Sequence, residues 1–143
     1  MRDAMDGLAF VRSLLGAASM PMAEPFGFVF DEVTAGSVRG RATPAARHQN
    51  PFGVVQGGFA SAVLDIALGL VSISVLNGEA TGVMTLDLDV RFFRPILAST
   101  GTMEVKAEVI HAGQTIVVGE ARLFDRSGKL YAGAQSTSIV ARE

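Results

Sequence analysis

One acidic side chain stands alone in a long apolar segment of this 143-residue chain. Asp65 is the only charged residue between Gly57 and Leu76. An ionised carboxylate is costly to bury, and natural chains rarely place one in an apolar run without a partner or a chemical task. A carboxylate can activate water or attack a carbonyl carbon, so Asp65 is a candidate general base or nucleophile. The alternative is a structural acid that pairs across an interface or caps a loop.

Gly57 and Gly58 precede this acid at the predicted start of the same helix. The first backbone N–H groups of a helix have no internal acceptor and lie at the positive end of the helix dipole. Because Gly57 has no side chain, a substrate can approach its N–H closely. This N–H is a candidate oxyanion-hole donor for a carbonyl oxygen that gains negative charge during acyl transfer. The alternative is a tight turn into the helix.

The separation between Gly57 and Asp65 constrains how they could act together. Eight residues of helix span about 12 Å, whereas reacting atoms must lie within roughly 3–3.5 Å. Two antiparallel copies of the helix would place the N-terminus of one beside the middle of the other. The sequence therefore predicts a two-fold dimer with two equal sites. A charged fraction of only 18% agrees with a surface that other chains partly cover.

The elements that must position these residues follow from hydrophobic spacing and turn signals. The chain is interpreted as one domain, 1–143, with an N-terminal helix up to Gly16 and a central helix over 57–77 ended by Asn77-Gly78. The predicted strands are Phe26–Thr34, Ser37–Thr43, Met84–Phe93, Thr102–Val109, Thr115–Phe124 and Leu130–Val140, the last two joined by the hairpin turn Asp125-Arg126-Ser127-Gly128.

Short links between the later strands favour an antiparallel sheet. The central helix, about 30 Å long, is most simply buried by a curved sheet that wraps around it, which predicts an α+β fold. In the strand MTLDLDVRFF, strict alternation places Thr85 on the face opposite Leu86 and Leu88. Thr85 is therefore predicted to point away from the core, toward a neighbouring chain.

The composition argues against several classes of protein. A formal net charge of −2 gives no basic patch for nucleic acid, and the absence of cysteine excludes disulfides and thiolate metal sites. Asp3 and Asp6 stand where a secretory signal would be basic. The apolar run has roughly the 20 residues of a membrane span, but it is diluted with Gly, Ala and Ser and contains Asp65. We expect a soluble, cytoplasmic protein with no metal and no membrane or nucleic-acid partner.

The motif H-x-N-P-x-G-x-x-Q-G-G-x-x-x-x-x-x-D, over 48–65, is followed by T-L-D-L-D-V-R-F-F-R-P over 85–95. Together they resemble the hotdog-fold acyl-CoA thioesterases of the PaaI-like, phenylacetate-pathway group, and the resemblance extends over 44–140. It implies a long helix wrapped by an antiparallel sheet, dimers that pair into a homotetramer, and hydrolysis of acyl-CoA to a free acid and CoA. No cofactor or metal is implied, since CoA is part of the substrate.

The resemblance also implies catalytic roles. Asp65 would be the nucleophile or general base, and the Gly57 N–H would be the oxyanion donor from the opposite subunit. Asn50 would place the thioester or the water, and Thr85 matches a Ser/Thr position that holds the water near the acid. Many members carry His where this chain has Gln56, which cannot titrate near pH 7 but could orient the thioester carbonyl.

Other residues are candidates for substrate contacts, each with an ordinary structural role as its alternative. Basic side chains suit the phosphates of CoA, a nucleotide could rest on exposed N–H groups at a strand turn, and aromatic rings could line an acyl pocket. The candidates are Gly58, His48, Phe59, Arg91, Arg94, His111, Gly113 and Gln114, with Phe52, Phe93 and Lys129 beside them.

Two rival functions stay open. A hydratase or dehydratase on the same fold would need a His paired with an acid, and the only nearby histidine is His48. A non-catalytic protein that binds acyl-CoA or another small apolar ligand is compatible with Gln56 at the position of the usual His.

Overall fold

The helix that carries Gly57 and Asp65 packs across one face of a six-stranded antiparallel sheet, in a computed structural model that describes residues 4–15 and 20–142. The elements are β1 (Met5–Asp6), α1 (Gly7–Ser13), β2 (Val29–Thr34), β3 (Ser37–Ala42), α2 (Gly57–Ile73), β4 (Asn77–Gly78), β5 (Ala80–Phe92), β6 (Met103–Ala112), β7 (Ile116–Phe124) and β8 (Leu130–Arg142). The sheet order is β2-β3-β6-β7-β8-β5. The predicted α+β architecture, a helix against an antiparallel sheet, is confirmed.

Helix α2 supplies the centre of the core because one of its faces is almost entirely apolar. The side chains of Val63, Leu64, Ala67 and Val71 are fully buried against the inner face of the sheet. Gly57, Ser61, Asp65 and Gly69 lie on the other face, where burial is incomplete. The partition of the helix into two faces therefore follows directly from its sequence.

The predicted end of the central helix was wrong by several residues. Helix α2 stops at Ile73, and the Ser74 hydroxyl donates to the Val71 carbonyl at 2.6 Å and accepts from the Gly36 N–H at 2.9 Å. This side-chain bonding turns the chain toward β3. The pair Asn77-Gly78, read as a helix stop, instead forms β4 and pairs with β1.

The N-terminal helix is shorter than the sequence predicts. The Asp6 carboxylate accepts from the Ala9 N–H at 2.9 Å and caps α1, which runs only from Gly7 to Ser13. A Cβ on Gly7 would lie 1.8 Å from the Ile73 carbonyl oxygen, so glycine is required where α1 meets the end of α2. Residues 1–3 and the predicted stop Gly16 lie outside the described residues.

A β-bulge in β5 overturns the predicted orientation of Thr85. The pairing with β8 shifts between Thr85 and Asp87, so Leu86 is an extra residue in β5. Val83 before the bulge and Leu88 after it both pack against buried residues. Thr85 lies on this same helix-facing side, because the extra residue breaks the period of two on which the prediction was based.

Strand β5 forms one edge of the sheet. It runs for 13 residues and exposes large apolar side chains, with Met84 61%, Leu86 60% and Phe92 56% accessible. A long edge strand with exposed apolar residues is a template for pairing with another chain. None of the helices in the described residues combines the length and hydropathy that a membrane span requires.

Candidate active site

Asp65 has a specific polar partner on the neighbouring strand. The Thr85 hydroxyl donates to Asp65 Oδ1 at 3.1 Å. Asp65 is only partly buried, and Thr85 is exposed. The carboxylate therefore avoids the full cost of burial, because it lies on the face of α2 that the sheet does not cover. A donor on one oxygen leaves the rest of this accessible carboxylate able to contact a ligand or a water molecule.

Gly57, Ser61, Asp65 and Gly69 follow one another at intervals of four along α2 and so share a face. All four are partly buried, and a Cβ added at Gly69 would meet no atom within 4 Å. Small residues on this face leave room for another backbone to approach closely. Within a single chain, Gly57 and Asp65 are too far apart to act on the same carbonyl, because both belong to one continuous helix.

A cavity of about 320 Å³ opens at the N-terminus of α2. Its wall includes Gly57 itself and residues from the end of β5. The loop before α2 is tied to the opposite wall because the Val55 N–H donates to the Ile96 carbonyl at 2.9 Å. The lining residues are Val55, Gln56, Gly57, Ala60, Phe92, Phe93, Arg94, Pro95 and Ile96. This arrangement brings together Gln56, Gly57 and Arg94, three of the residues that the sequence analysis named as candidates.

Phe92 is a residue of this cavity that the sequence analysis did not single out. Its ring atoms lie 3.2 and 3.3 Å from the position that a Cβ on Gly57 would occupy. Alternation along β5 directs Phe92 toward the helix side, as it does Leu88 and Val90. Its position in the sequence could have identified it, because Phe92 ends the strand that carries Thr85. In the fold, this strand end lies beside the start of the long helix. The absence of a side chain at Gly57 therefore also accommodates this ring.

The His48 ring is held in its loop by backbone hydrogen bonds, and its predicted substrate contact stays a prediction. Its Nδ1 accepts from the Ala45 N–H at 2.9 Å, so the proton lies on Nε2, which is 2.6 Å from the Pro25 carbonyl oxygen. The ring is also stacked with Phe26, at a centroid distance of 5.7 Å. Both nitrogens are engaged by the backbone. His48 therefore holds its loop in place, and this position gives no support to a hydratase that uses it as an acid or base.

The loop over 48–56 carries the other two polar candidates. The Asn50 side-chain oxygen accepts from the N–H groups of Phe52 and Val54, at 2.9 and 3.2 Å, and so stabilises a tight turn. Gln56 is exposed at the N-cap position of α2 and lines the cavity, while its N–H donates to the His48 carbonyl at 2.8 Å. A turn role is common for an asparagine that precedes proline, and the catalytic role of Asn50 stays a prediction.

Phe59 packs in the core and is not among the residues that line the cavity, and its predicted substrate contact stays a prediction. Only 2% of its surface is accessible, and its ring centroid lies 4.7 Å from that of His48 and 5.9 Å from that of Phe26. It faces inward because it lies on the apolar side of α2. Gly58, by contrast, is exposed at the helix start.

The candidates for CoA phosphates do not form one cluster in a single chain. Arg94 lines the cavity, while Arg91 lies on β5 and pairs with Asp89 at 3.5 Å. His111, Gly113 and Gln114 belong to the β6–β7 turn. At the end of β5, Phe92 pairs with Ala132 of β8, and Ala132 pairs in turn with Leu123 of β7. Leu123 lies seven strand residues, roughly 23 Å, away from the β6–β7 turn. Their roles stay predictions.

Within residues 4–15 and 20–142, no group of three or more His, Asp or Glu side chains is arranged to hold a metal ion. The groups whose pKa is shifted, Arg41 and Asp125, are not among the residues that line the cavity. The described polar groups are the Asp65 carboxylate on α2 with its Thr85 hydroxyl partner and, at the cavity, the Gln56 amide, the Arg94 guanidinium and the helix N-terminus.

Comparison with known proteins gives the family. A family model described as the thioesterase superfamily matches residues 52–132. A candidate esterase of Saccharolobus solfataricus is 31% identical over 108 residues, which are 73% of this chain and 74% of that protein. The family match includes the residues that line the cavity, α2 and β5.

Solved structures give the same result for the fold. A candidate thioesterase of Ralstonia eutropha JMP134, related to phenylacetic acid degradation, is 31% identical with a TM-score of 0.80, covering 92% of this chain and 98% of its own. A Streptococcus mutans protein solved with acetyl-CoA is 22% identical with a TM-score of 0.73, covering 81% and 90%, and this likeness concerns the fold alone. The resemblance to hotdog-fold thioesterases of the phenylacetate-pathway type is thereby confirmed, and the chain belongs to the thioesterase superfamily.

Proposed function

We propose that this protein is an acyl-CoA thioesterase that hydrolyses its substrate to a free carboxylic acid and CoA. The observation that carries the proposal is the contact of Thr85 with Asp65, on the open face of the helix whose first residue borders the cavity. A solved relative of the same fold holds acetyl-CoA, which supports a CoA thioester as the ligand class.

The proposed reaction begins when the thioester carbonyl oxygen accepts a hydrogen bond from the Gly57 N–H. In the general-base route, Asp65 takes a proton from water as the water oxygen bonds to the carbonyl carbon. The carbonyl electrons move onto oxygen, and the N–H stabilises the resulting charge. The C–S bond then breaks, and the CoA sulfur leaves as a thiolate that takes up a proton. Thr85 would orient the carboxylate or its water, and Gln56 would orient the carbonyl.

A nucleophilic route is equally compatible with these groups. Asp65 would attack the carbonyl carbon, expel the thiolate and form a mixed anhydride that water then hydrolyses. Single-turnover hydrolysis in ¹⁸O-water detects the anhydride route when water attacks the Asp65 carbonyl, whereas water attack on the acyl carbonyl labels the product acid in either route. Direct attack by water labels the acid formed in the first turnover. The anhydride route, with water attacking the Asp65 carbonyl, would instead leave the label in the enzyme carboxylate.

We further propose that a second copy completes each site, so that Gly57 of one protomer acts with Asp65 of the other. Three features support this: the helix spacing of about 12 Å, the small residues at Ser61 and Gly69 on the same face, and the exposed apolar edge of β5. A symmetric dimer then contains two equal sites. Pairing of dimers into a tetramer remains an expectation of the family resemblance.

A thiol-release assay tests the proposed activity with a set of acyl-CoA thioesters of short, long and aromatic acyl groups. The native chain should release CoA, and Asp65→Asn should lower kcat by about 10²–10⁴, the usual contribution of a positioned base. Ser61→Ala, a change on the same helix face outside the proposed chemistry, serves as the control and should retain most activity.

The same assay, joined to a binding measurement, separates an enzyme from a binding protein. Loss of hydrolysis in Asp65→Asn with retained affinity for acyl-CoA supports the enzyme. Tight binding by the native chain without any thiol release would contradict the proposal and favour a ligand-binding role.

A further inference from the structure

An exposed aromatic ring beside Gly57 is not used by the proposed chemistry. Phe92 is 56% accessible although it ends a strand whose preceding helix-facing residues, Leu88 and Val90, pack against the core. It is exposed because α2 begins at Gly57, so no further helical turn covers the ring. Its closest atom is 3.2 Å from the Cβ position of Gly57.

The position of the ring fixes what it can contact. A carbonyl oxygen that accepts from the Gly57 N–H must lie within hydrogen-bond distance of that nitrogen, about 2.9 Å. The group attached to that carbonyl then extends into the space beside Gly57, which the Phe92 ring bounds on one side. The surrounding side chains of Val55, Ala60 and Ile96 are apolar, as an acyl group requires.

We propose that Phe92 is the specificity-determining residue of this site and restricts it to compact acyl groups. This inference rests on the proposed thioesterase function. The cavity of about 320 Å³ is open to the surface, and the Phe92 ring forms its wall beside Gly57. A short acyl group bound at the Gly57 N–H would end before this ring, whereas a longer chain directed toward the ring would have to displace it.

A series of straight-chain acyl-CoA substrates tests this role by kcat/KM. The native chain should show a steep loss at the length where the acyl group reaches the ring, since one methylene too many costs about 10- to 200-fold. Phe92→Ala should move this limit to longer chains and raise kcat/KM for the first excluded substrates by about tenfold or more. Phe92→Trp should move the limit the other way, and Phe92→Leu should lie between, which keeps the test valid if the alanine variant is unstable.

Phe10→Ala provides a matched control, because Phe10 is a similarly exposed ring, 48% accessible, that lies on α1 outside the cavity. It should leave the order of substrates unchanged. Sedimentation analysis of the variants tests whether Phe92 contacts the substrate or the second chain. If the Phe92→Ala protein dissociates into monomers, the ring contacts the partner and the inference is wrong.

Two kinetic outcomes are distinguishable. An unchanged substrate order in all three Phe92 variants, with native turnover intact, would overturn this inference and leave the proposed activity standing. Absence of turnover by the native chain with every thioester would overturn both.

Discussion

At the scale of single residues, Asp65 shows how this chain keeps a charge in an apolar helix. The carboxylate lies on the face of α2 that the sheet leaves open, and the Thr85 hydroxyl donates to it. The sequence identified this acid because no other charge lies nearby. It misjudged the direction of Thr85, because one extra residue in β5 has no signature in the pattern of apolar and polar positions.

Substitution of Gly57 by proline removes the backbone N–H that is the proposed oxyanion donor. Gly57 is the first residue of α2, a position that tolerates proline, and Gln56 has the extended backbone that precedes proline readily. Gly57→Pro should keep the helix but remove the oxyanion donor, and kcat should fall by about 10²–10³. Steady-state kinetics with a thiol-detecting reagent measures this loss.

Gly57→Ala is the paired control for that experiment. It adds a Cβ beside the Phe92 ring, as proline does, but retains the N–H. A small effect of alanine with a large effect of proline supports the donor role. Equal losses in the two variants would assign the effect to displacement of the ring instead.

At the scale of elements, the hairpin between β7 and β8 confirms a turn that the sequence predicted. Asp125 Oδ1 accepts from the Ser127 hydroxyl at 2.7 Å and from the N–H groups of Ser127 and Lys129. Gly128 has φ of 87°, which favours glycine. Local turn chemistry is readable from sequence because it depends on neighbouring residues, whereas the end of α2 was misread because Ser74 bonds to Gly36, 38 residues away.

These hydrogen bonds, chiefly that of the Ser127 hydroxyl, lower the pKa of Asp125 below its ordinary value of 3.8. A lowered pKa in the folded state means that the ionised carboxylate stabilises the fold above the unfolded pKa, and this contribution is lost as pH falls below about 3.8. Asp125→Asn should therefore unfold at lower denaturant concentration at pH 7.

The difference between Asp125→Asn and the native chain should shrink as the pH is lowered through the acid range. Urea unfolding followed by circular dichroism between pH 7 and pH 2 measures it. Ser127→Ala, which removes the strongest of these bonds, should change stability in the same direction. A stability difference that stays constant with pH would refute the electrostatic account.

At the scale of the whole molecule, the central question is how two groups about 12 Å apart on one helix can act on one carbonyl. The distance between Gly57 and Asp65 could be predicted from the sequence. The structure shows in addition that the helix face carrying them is only partly buried and that β5 is an exposed edge strand. The way two chains meet depends on surfaces that form only after folding. A pattern in one chain therefore predicts that a partner is needed but does not define its contacts.

A mixing experiment tests the shared site directly. Asp65→Asn and Gly57→Pro chains should each be nearly inactive alone, but a mixed dimer would contain one intact site and one doubly defective site. Random assortment should restore about a quarter of the native activity per chain, because half of the dimers are mixed. Co-expression of the two variants followed by the thiol-release assay measures the recovery.

The matched control mixes Asp65→Asn with the double variant carrying both changes. One site in each mixed dimer of that pair still lacks Asp65 and the other lacks both groups, so no recovery is expected. If the first mixture also stays inactive while native mass spectrometry shows that mixed dimers form, the proposal of a site shared between two chains is wrong.

Because β5 contains one extra residue, the contact between Thr85 and Asp65 depends on the exact number of residues in this part of the strand. Thr85 reaches Asp65 only because the count of residues between it and Leu88 departs from the even spacing of a regular strand. Removing Leu86 would restore a regular ladder, rotate one half of β5 relative to the other, and turn either Thr85 or the apolar wall formed by Leu88, Val90 and Phe92 outward. Among natural variants of this chain, single-residue insertions or deletions in this short interval should therefore be far more damaging than conservative substitutions there.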